Sequence, residues 1–342
     1  MKAMILAGGL STRLYPLTKQ VPKPLVPVAG VPNAEHVIHY LRAYGFDEIA
    51  INLHYLSDAI VEALGDGSRF GVKLEYSFEP VLLGSAGAVK QMEGFFGNAT
   101  FVVVGCDDLT DLSLDKLLAF HRERNALATI GLMECQEVDQ YGVVVLDERG
   151  KIIGFQEKPA KGTERSRLAN TGIYAFSPEI FRHVPAQTFY DFGKQVFPAL
   201  QTAGERFYGF DARGAYWSDI GTPAEYRRAS YDVVRGAFSI PGTRANGADL
   251  TAAIGADVEI EGPVYIGAHA RIGNAAKIIG PSVVGNGVHV EARAHVERSI
   301  LWEGASVGAG ARLRDTIVGK NYRVESGATL DNALVANEEI PA

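Results

Sequence analysis

Apolar residues follow two rhythms along the chain. Up to about Gly236, short β-rich runs alternate with amphipathic stretches. The runs at 3–7, 48–53, 73–78, 101–105 and 128–133 predict strands, and helical spacing of apolar side chains predicts helices over 35–44, 56–64, 86–95 and 114–124. Such alternation predicts an α/β fold: a mixed, mostly parallel Rossmann-like sheet with helices on both faces. Ligands in these sheets collect beyond the carboxyl ends of the strands, so the loops that follow strands carry the candidate chemistry. After a Gly/Pro-containing connector the period becomes six. Ile254, Ile260, Ile266, Ile272, Ile278, Val284, Val290 and Val296 keep strict register, and one-residue slips then lead to Leu301, Val307 and Leu313 and to Val324 and Leu330. A hexapeptide period predicts a parallel β-helix, in which each short strand adds an aliphatic residue to a continuous column. The expected division is a catalytic-type domain over 1–236, a connector over 237–252 and the repeat over 253–342.

Composition narrows the classes. The chain has 342 residues, 47% of them hydrophobic, which is ample for packed cores and excludes wholesale disorder. With 33 Lys and Arg against 40 Asp and Glu the formal charge is −7, so a chain-wide basic surface for nucleic acid is absent. The two cysteines, Cys106 and Cys135, imply no disulfide framework and fit a reducing cytoplasm. No apolar run approaches the ~18 residues of a membrane span, and the N-terminus shows no signal-peptide pattern, so a cytoplasmic location without a membrane partner is expected.

The first loop, LeuAlaGlyGlyLeuSerThrArgLeu, follows the first predicted strand. Its glycines let the backbone approach an anion, and Arg13 adds paired donors for phosphate. The pattern is neither a P-loop nor the dinucleotide fingerprint. Further on, prolines bracket Lys23 in ValProLysProLeuVal, which predicts a lysine held in a stiff extended loop.

GlyGly-x-x-ThrArgLeu followed by ProLysPro resembles the sugar-phosphate nucleotidyltransferases, and within them the mannose-1-phosphate guanylyltransferase branch. The resemblance continues in order through GlySerAlaGly (Gly84–Gly87), LeuThrAspLeu (Leu109–Leu112), TyrGlyValVal (Tyr141–Val144), GluLysPro (Glu157–Pro159), AsnThrGlyIleTyr (Asn170–Tyr174), AspPheGly (Asp191–Gly193) and TrpSerAspIleGlyThr (Trp217–Thr222). It implies attack of a sugar 1-phosphate oxygen on the α-phosphorus of a nucleoside triphosphate, with loss of pyrophosphate. By resemblance Asp107 and Asp219 hold Mg²⁺, Arg13 grips the departing phosphates, Lys23 the α-phosphate region and Lys158 the sugar phosphate. Gly142, Glu157, Asn170 and Asp191 would surround the sugar. Leu6, Ala7, Gly8, Gly9, Ser11, Thr12 and Gly84 would face the nucleotide. Asp108 and Asp111 read as loop or cap residues, with Asp108 able to assist the metal. Ser11 and Cys106 stand where the family commonly has glycine.

The similarity tilts toward GTP and mannose 1-phosphate giving GDP-mannose. Glucose 1-phosphate with UTP, dTTP or ATP and N-acetylmuramic acid 1-phosphate with UTP use the same phosphate machinery. Acyl transfer by the β-helix, with His289 and His295 stacked on one face, and a regulatory subunit that binds nucleotide sugar without turnover are the other readings. The charged set Arg13, Lys23, Asp107, Lys158 and Asp219 favours an enzyme, and the β-helix is expected to support a homo-oligomer.

Overall fold

A computed structural model describes residues 1–239 and 245–337; part of the expected connector, 240–244, and the last residues of the repeat, 338–342, lie outside the described residues. Contacts group into two compact units. One comprises Met1–Gly9 and Val37–Asp219, the other Leu10–His36 and Ile220–Ala342.

The first unit is built on a nine-stranded sheet. Its strands are β1 (Lys2–Leu6), β2 (Glu48–Leu53), β3 (Lys73–Phe78) and β4 (Phe101–Gly105); β5 (Asp108–Thr110) stands outside it. Then come β6 (Ala128–Glu134), β7 (Gly142–Leu146), β8 (Ile152–Glu157), β9 (Leu168–Phe176) and β10 (Phe207–Asp211). The order is β8-β7-β9-β4-β1-β2-β3, with β6 pairing β9 and β10. All strands run one way except β8 and β9, whose ladders are antiparallel. The mixed, mostly parallel sheet is therefore as expected, and its central strands are buried on both sides: Ala3, Met4, Ile5, Val102, Val103 and Val104 are fully enclosed.

Helices α1 (Asn33–Ala43), α2 (Ser57–Leu64), α3 (Gly84–Gln91) and α4 (Leu114–Glu123) lie close to their expected spans. The helix expected over 86–95 ends at Gln91, and a separate turn follows at Glu93–Phe96. Met92 leaves the helical conformation there, and Gly94 beside it adds no helix propensity. Phe96, Phe101, Phe176, Phe181, Phe192, Phe197 and Phe207 form a buried aromatic core.

In the second unit, three parallel sheets stack into the coil of a left-handed β-helix. Tyr265 pairs with Val283, Val283 with Ile300 and Ile300 with Ile317. Register partners on adjacent rungs are 18 residues apart in the first coils and 17 later, which accounts for the slips in the hexad. Ile266, Ile272, Ile278, Val284, Val290, Val296, Leu301, Val307 and Leu313 fill the column. His289 pairs with Arg271 and Ser306, whereas His295 pairs with Lys277 and Arg312 on a different sheet. The stacking of His289 on His295 is thus corrected: six residues move the chain to the next face, and only a full rung returns it.

The segment Leu10–His36 also departs from expectation. Lys23 opens a 3₁₀ turn, Lys23–Leu25, rather than an extended loop. Pro24 sits in the first turn, where a missing N–H costs nothing, and Pro22 alone is extended.

Candidate active site

The carboxyl ends of β1 and β4 lie side by side, and the chain leaves both through irregular turns. At β1, Ala7 N–H donates to Asn52 Oδ1 (2.8 Å), Asn52 Nδ2 donates to Glu79 Oε1 (2.9 Å), and Glu79 Oε2 accepts from Leu83 N–H (2.9 Å). This buried chain ties the Ala7-Gly8-Gly9 turn to the loop that opens α3. A Cβ on Gly8 would stand 2.7 Å from Asn52 Nδ2, so the turn needs glycine there. Gly84 has φ +71, and a Cβ on it would meet the Tyr190 carbonyl oxygen at 2.6 Å. That carbonyl accepts from Ala86 and Gly87 N–H at 2.9 and 3.0 Å, fixing the Gly-Ser-Ala-Gly turn.

At β4 the chain turns through Cys106 and Asp107 into β5, which pairs antiparallel with β11 (Trp217–Asp219) so that Asp108 faces Asp219. Asp108 is a strand residue, not a loop or cap residue, and it is buried. Its Oδ2 accepts from Gly105 N–H and its Oδ1 from Trp217 Nε1–H, both at 3.0 Å. A Cβ on Gly105 would lie 2.7 Å from both Asp107 Oδ1 and Asp108 Oδ2, so the two carboxylates fold over this glycine. Burial, followed by the charges of Asp107 and Asp219, pushes the Asp108 carboxyl well above the carboxylate range. Three acids thus converge, with the middle one taken up by protein donors. Among the described residues no group of three or more His, Cys, Asp or Glu side chains is placed to hold a metal ion by itself. Two half-buried carboxylates, Asp107 and Asp219, suit instead a hard cation that takes its remaining oxygens from phosphate and water.

A bulge in β9 completes this wall. Its register against β6 shifts between Asn170 and Tyr174, where Gly172 has φ +83. The bulge turns Asn170 so that its Nδ2 donates to the Tyr174 hydroxyl (3.1 Å) and its Oδ1 accepts from Gly172 N–H (3.0 Å). Trp217 Nε1–H is shared between Asp108 and the Thr171 carbonyl (3.1 Å), and its ring meets Tyr141 edge-on at 5.0 Å.

Beyond it, β8 ends at Glu157 because Pro159 cannot continue a ladder. Lys158 has φ +45, a strained conformation for a side chain with a Cβ, and its N–H donates to the Tyr141 carbonyl (3.1 Å). A Cβ on Gly193 would lie 2.4 Å from Glu157 Oε2 and 3.4 Å from Asp191 Oδ1, and one on Gly142 would lie 3.2 Å from Glu157 Oε2. Glu157, Asp191 and Gly142 are therefore neighbours. Partial burial, then Asp191, raises the Glu157 carboxyl above its usual range. Asp191 caps the Phe192–Val196 turn, accepting from Gly193 and Lys194 N–H at 3.0 and 3.1 Å and from Ser85 Oγ at 2.8 Å. Its visible work is to fasten this turn to α3.

Within the first unit the expected residues Leu6, Ala7, Gly8, Gly9, Gly84, Asp107, Gly142, Glu157, Lys158, Asn170, Asp191 and Asp219 line these strand ends. Asn52, Glu79, Gly105, Asp108 and Trp217 belong with them and were not singled out for a site role in the sequence, except Asp108 as an assistant to the metal. Ser11, Thr12, Arg13 and Lys23 lie in the second unit. Ser11 takes the left-handed conformation that glycine adopts freely (φ 54), and its carbonyl accepts from Thr18 Oγ1 (2.7 Å) and Leu14 N–H (3.2 Å). His36 and His54 bond to the carbonyls of Val28 (3.0 Å) and Glu79 (2.7 Å), and His39 packs edge-on against Phe70, which are structural roles. Among the described residues no helix is long and apolar enough to cross a membrane.

Known proteins resemble this chain along most of its length. Residues 2–236 match the family described as nucleotidyl transferase, and residues 260–341 match the GMPPB C-terminal domain. The chain is 41% identical to the UTP--glucose-1-phosphate uridylyltransferase of Synechocystis sp., over 90% of this chain and 84% of that protein. It is 33% identical to the mannose-1-phosphate guanylyltransferase of Mycobacterium tuberculosis, over 86% of this chain and 83% of that protein. A crystal structure of a "Putative Glucose-1-Phosphate Thymidylyltransferase" from Bacillus anthracis superposes with a TM-score of 0.61 at 28% identity, covering 67% of this chain and 94% of that one. The chain belongs to the nucleotidyl transferase family and is a sugar-1-phosphate nucleotidyltransferase.

Proposed function

We propose that the chain couples UTP to glucose 1-phosphate in a Mg²⁺-dependent reaction at the strand ends of the first unit. The observation that carries the reaction site is the acid cluster in which Asp108 is occupied by Gly105 and Trp217 while Asp107 and Asp219 stay half-buried on either side. The match along most of the chain at 41% identity favours this substrate pair. GTP and mannose 1-phosphate, toward which the sequence motifs tilt, form the second reading, favoured by the GMPPB C-terminal match and by the relative at 33% identity.

The sugar phosphate is itself the nucleophile, so no dedicated base is required. One of its oxygens forms a bond to the α-phosphorus, the α–β bridging P–O bond breaks, and its electrons leave with pyrophosphate. The protein's task is to bring two anions together in line and compensate their charge. Asp107 and Asp219 would hold Mg²⁺, which supplies charge neutralisation on the phosphates. Lys158, raised at the end of β8 by its unusual backbone conformation, would meet the sugar phosphate, and Glu157 and Asn170 would orient sugar hydroxyls. Arg13 and Lys23 take their roles, on the triphosphate, from the family motif.

Pyrophosphate release with Mg²⁺, across UTP, GTP, dTTP and ATP against glucose, mannose and N-acetylmuramic acid 1-phosphates, tests the assignment. Turnover confined to UTP with glucose 1-phosphate is expected. Preference for GTP with mannose 1-phosphate would install the second reading, and nucleotide binding without turnover in any combination would refute both. Self-association through the β-helix also stays a proposal: its first rung leaves Leu250, Ile254 and Ile260 exposed, and light scattering is expected to return more than the monomer mass.

A further inference from the structure

One face of the coil differs from the other two. Its outward column runs Tyr265, Val283, Ile300 and Ile317, all apolar and all buried. On a neighbouring face the corresponding column, Arg271, His289, Ser306 and Arg323, is charged or polar, and all but the half-buried Ser306 are exposed. The apolar face is covered within its own unit by α5 (Pro223–Arg235) and by the segment Leu10–His36, which carries Arg13 and Lys23.

The contacts are close and specific. Residues Pro27–Val28 and Val31–Pro32 form a small hairpin whose tip, Ala29-Gly30, has positive φ at both residues. A Cβ on Gly30 would lie 2.7 Å from the Tyr265 ring, so the tip lies flat on the coil. At another rung, a Cβ on Gly319 would approach Leu17 Cδ2 to 3.2 Å. Between these points the buried Trp302 donates from Nε1 to the Tyr226 hydroxyl (2.8 Å), which donates onward to the Pro27 carbonyl (2.6 Å). The direction of the relay is forced. An indole N–H can only donate, so the phenol oxygen must accept from it and spend its own proton on Pro27.

We propose that Trp302 and Tyr226 are positioning residues for nucleotidyl transfer: from within the β-helix unit they fix the Pro22–Pro27 segment, and with it Lys23. Three residues separate Lys23 from Pro27, and two of them, Pro24 and Val26, are proline or lead into proline, so displacement at Pro27 is carried to Lys23 rather than absorbed. The β-helix is then part of the catalytic apparatus and not only a platform for assembly. This inference rests on the reading of Lys23 as a triphosphate ligand.

The test is steady-state kinetics of the full chain carrying Tyr226→Phe, which keeps the ring and strands both the Trp302 donor and the Pro27 acceptor. We expect kcat/KM for the nucleoside triphosphate to fall about tenfold, with KM for the sugar phosphate changed less than twofold. Trp302→Phe, which removes the first donor alone, is expected to act in the same direction and less strongly. Val296→Ala, a buried coil position away from the relay, serves as the stability control and should lower the melting temperature with kinetics unchanged. Equal kinetic loss in Val296→Ala, or equal loss toward both substrates in Tyr226→Phe, would reduce the relay to general stability and overturn the proposal. In a double-mutant cycle the Tyr226→Phe effect should vanish in a Lys23→Ala background. Lys23→Ala impaired beside parental Tyr226→Phe and Trp302→Phe overturns the relay and leaves Lys23 in its role. Parental kinetics in Lys23→Ala overturns both.

Discussion

Gly105→Ala places a single methyl group at the centre of the acid cluster. The added Cβ would stand 2.7 Å from Asp107 Oδ1 and from Asp108 Oδ2, whereas an ordinary contact is 3.4 Å or more, so each carboxylate must withdraw by about 0.7 Å. Asp108 cannot do so freely. Asp108 is held by the Gly105 N–H and by Trp217, and its retreat would break at least one of those 3.0 Å bonds inside a buried site. Leaving a buried donor unpaired costs about 1–3 kcal/mol of stability. Misplacing catalytic ligands by nearly an ångström costs on the order of 10² in rate, or about 2.7 kcal/mol of transition-state stabilisation. We therefore expect a folded protein with kcat reduced about 100-fold and a higher Mg²⁺ concentration for half-maximal rate. Pyrophosphate release against Mg²⁺ concentration measures both. Gly94→Ala, where a Cβ meets nothing within 4 Å, should retain parental kinetics. A Gly105→Ala enzyme within threefold of the parent at unchanged Mg²⁺ dependence would refute the placement of the two carboxylates around this glycine.

Asp107→Asn should abolish Mg²⁺-dependent turnover while the melting temperature stays within a few degrees of the parent; near-normal activity would remove Asp107 from the metal site. Lys158→Ala keeps a Cβ at the same φ of +45 and so isolates the amine; KM for the sugar phosphate should rise at least tenfold, and an effect confined to the nucleotide would contradict its role. His121 tests the fold through pH. Burial, helped by Arg122 and Arg206, lowers its pKa to about 4. Its Nδ1 accepts from Thr129 Oγ1 (2.8 Å), and its Nε2–H donates to Ser177 Oγ (3.1 Å), whose own proton is committed to the Ala126 carbonyl. The unfolded chain binds the proton first, so this stability is present above pH 6.5 and is lost as pH falls toward 4, amounting to about 3 kcal/mol. His121→Gln should lose correspondingly less between pH 7 and pH 4 in urea unfolding; equal losses in the two proteins would rule out the buried neutral ring.

Strand runs such as Phe101–Gly105 and the hexad from Ile254 onward could be read directly, because a strand or a rung is encoded by residues adjacent in sequence. The candidate site was legible for the same reason wherever a motif is contiguous, as in Gly84–Gly87 and Glu157–Pro159. The glycine expected at Ser11 also becomes intelligible, since the position demands a left-handed backbone. What the sequence alone left open is pairing between distant segments. Nothing near Asp108 says that it will face Asp219 and receive the Trp217 indole, and so become buried while its neighbour Asp107 does not. Asn52 and Glu79 look like ordinary polar residues until burial makes each the necessary partner of a backbone N–H. The hexad gave the inward column of the coil but not its covering. The outward residues Tyr265, Val283, Ile300 and Ile317 become a binding face for Leu10–His36 only once rungs of 17 and 18 residues stack them, because burial belongs to surfaces that meet in space, whereas periodicity belongs to the chain.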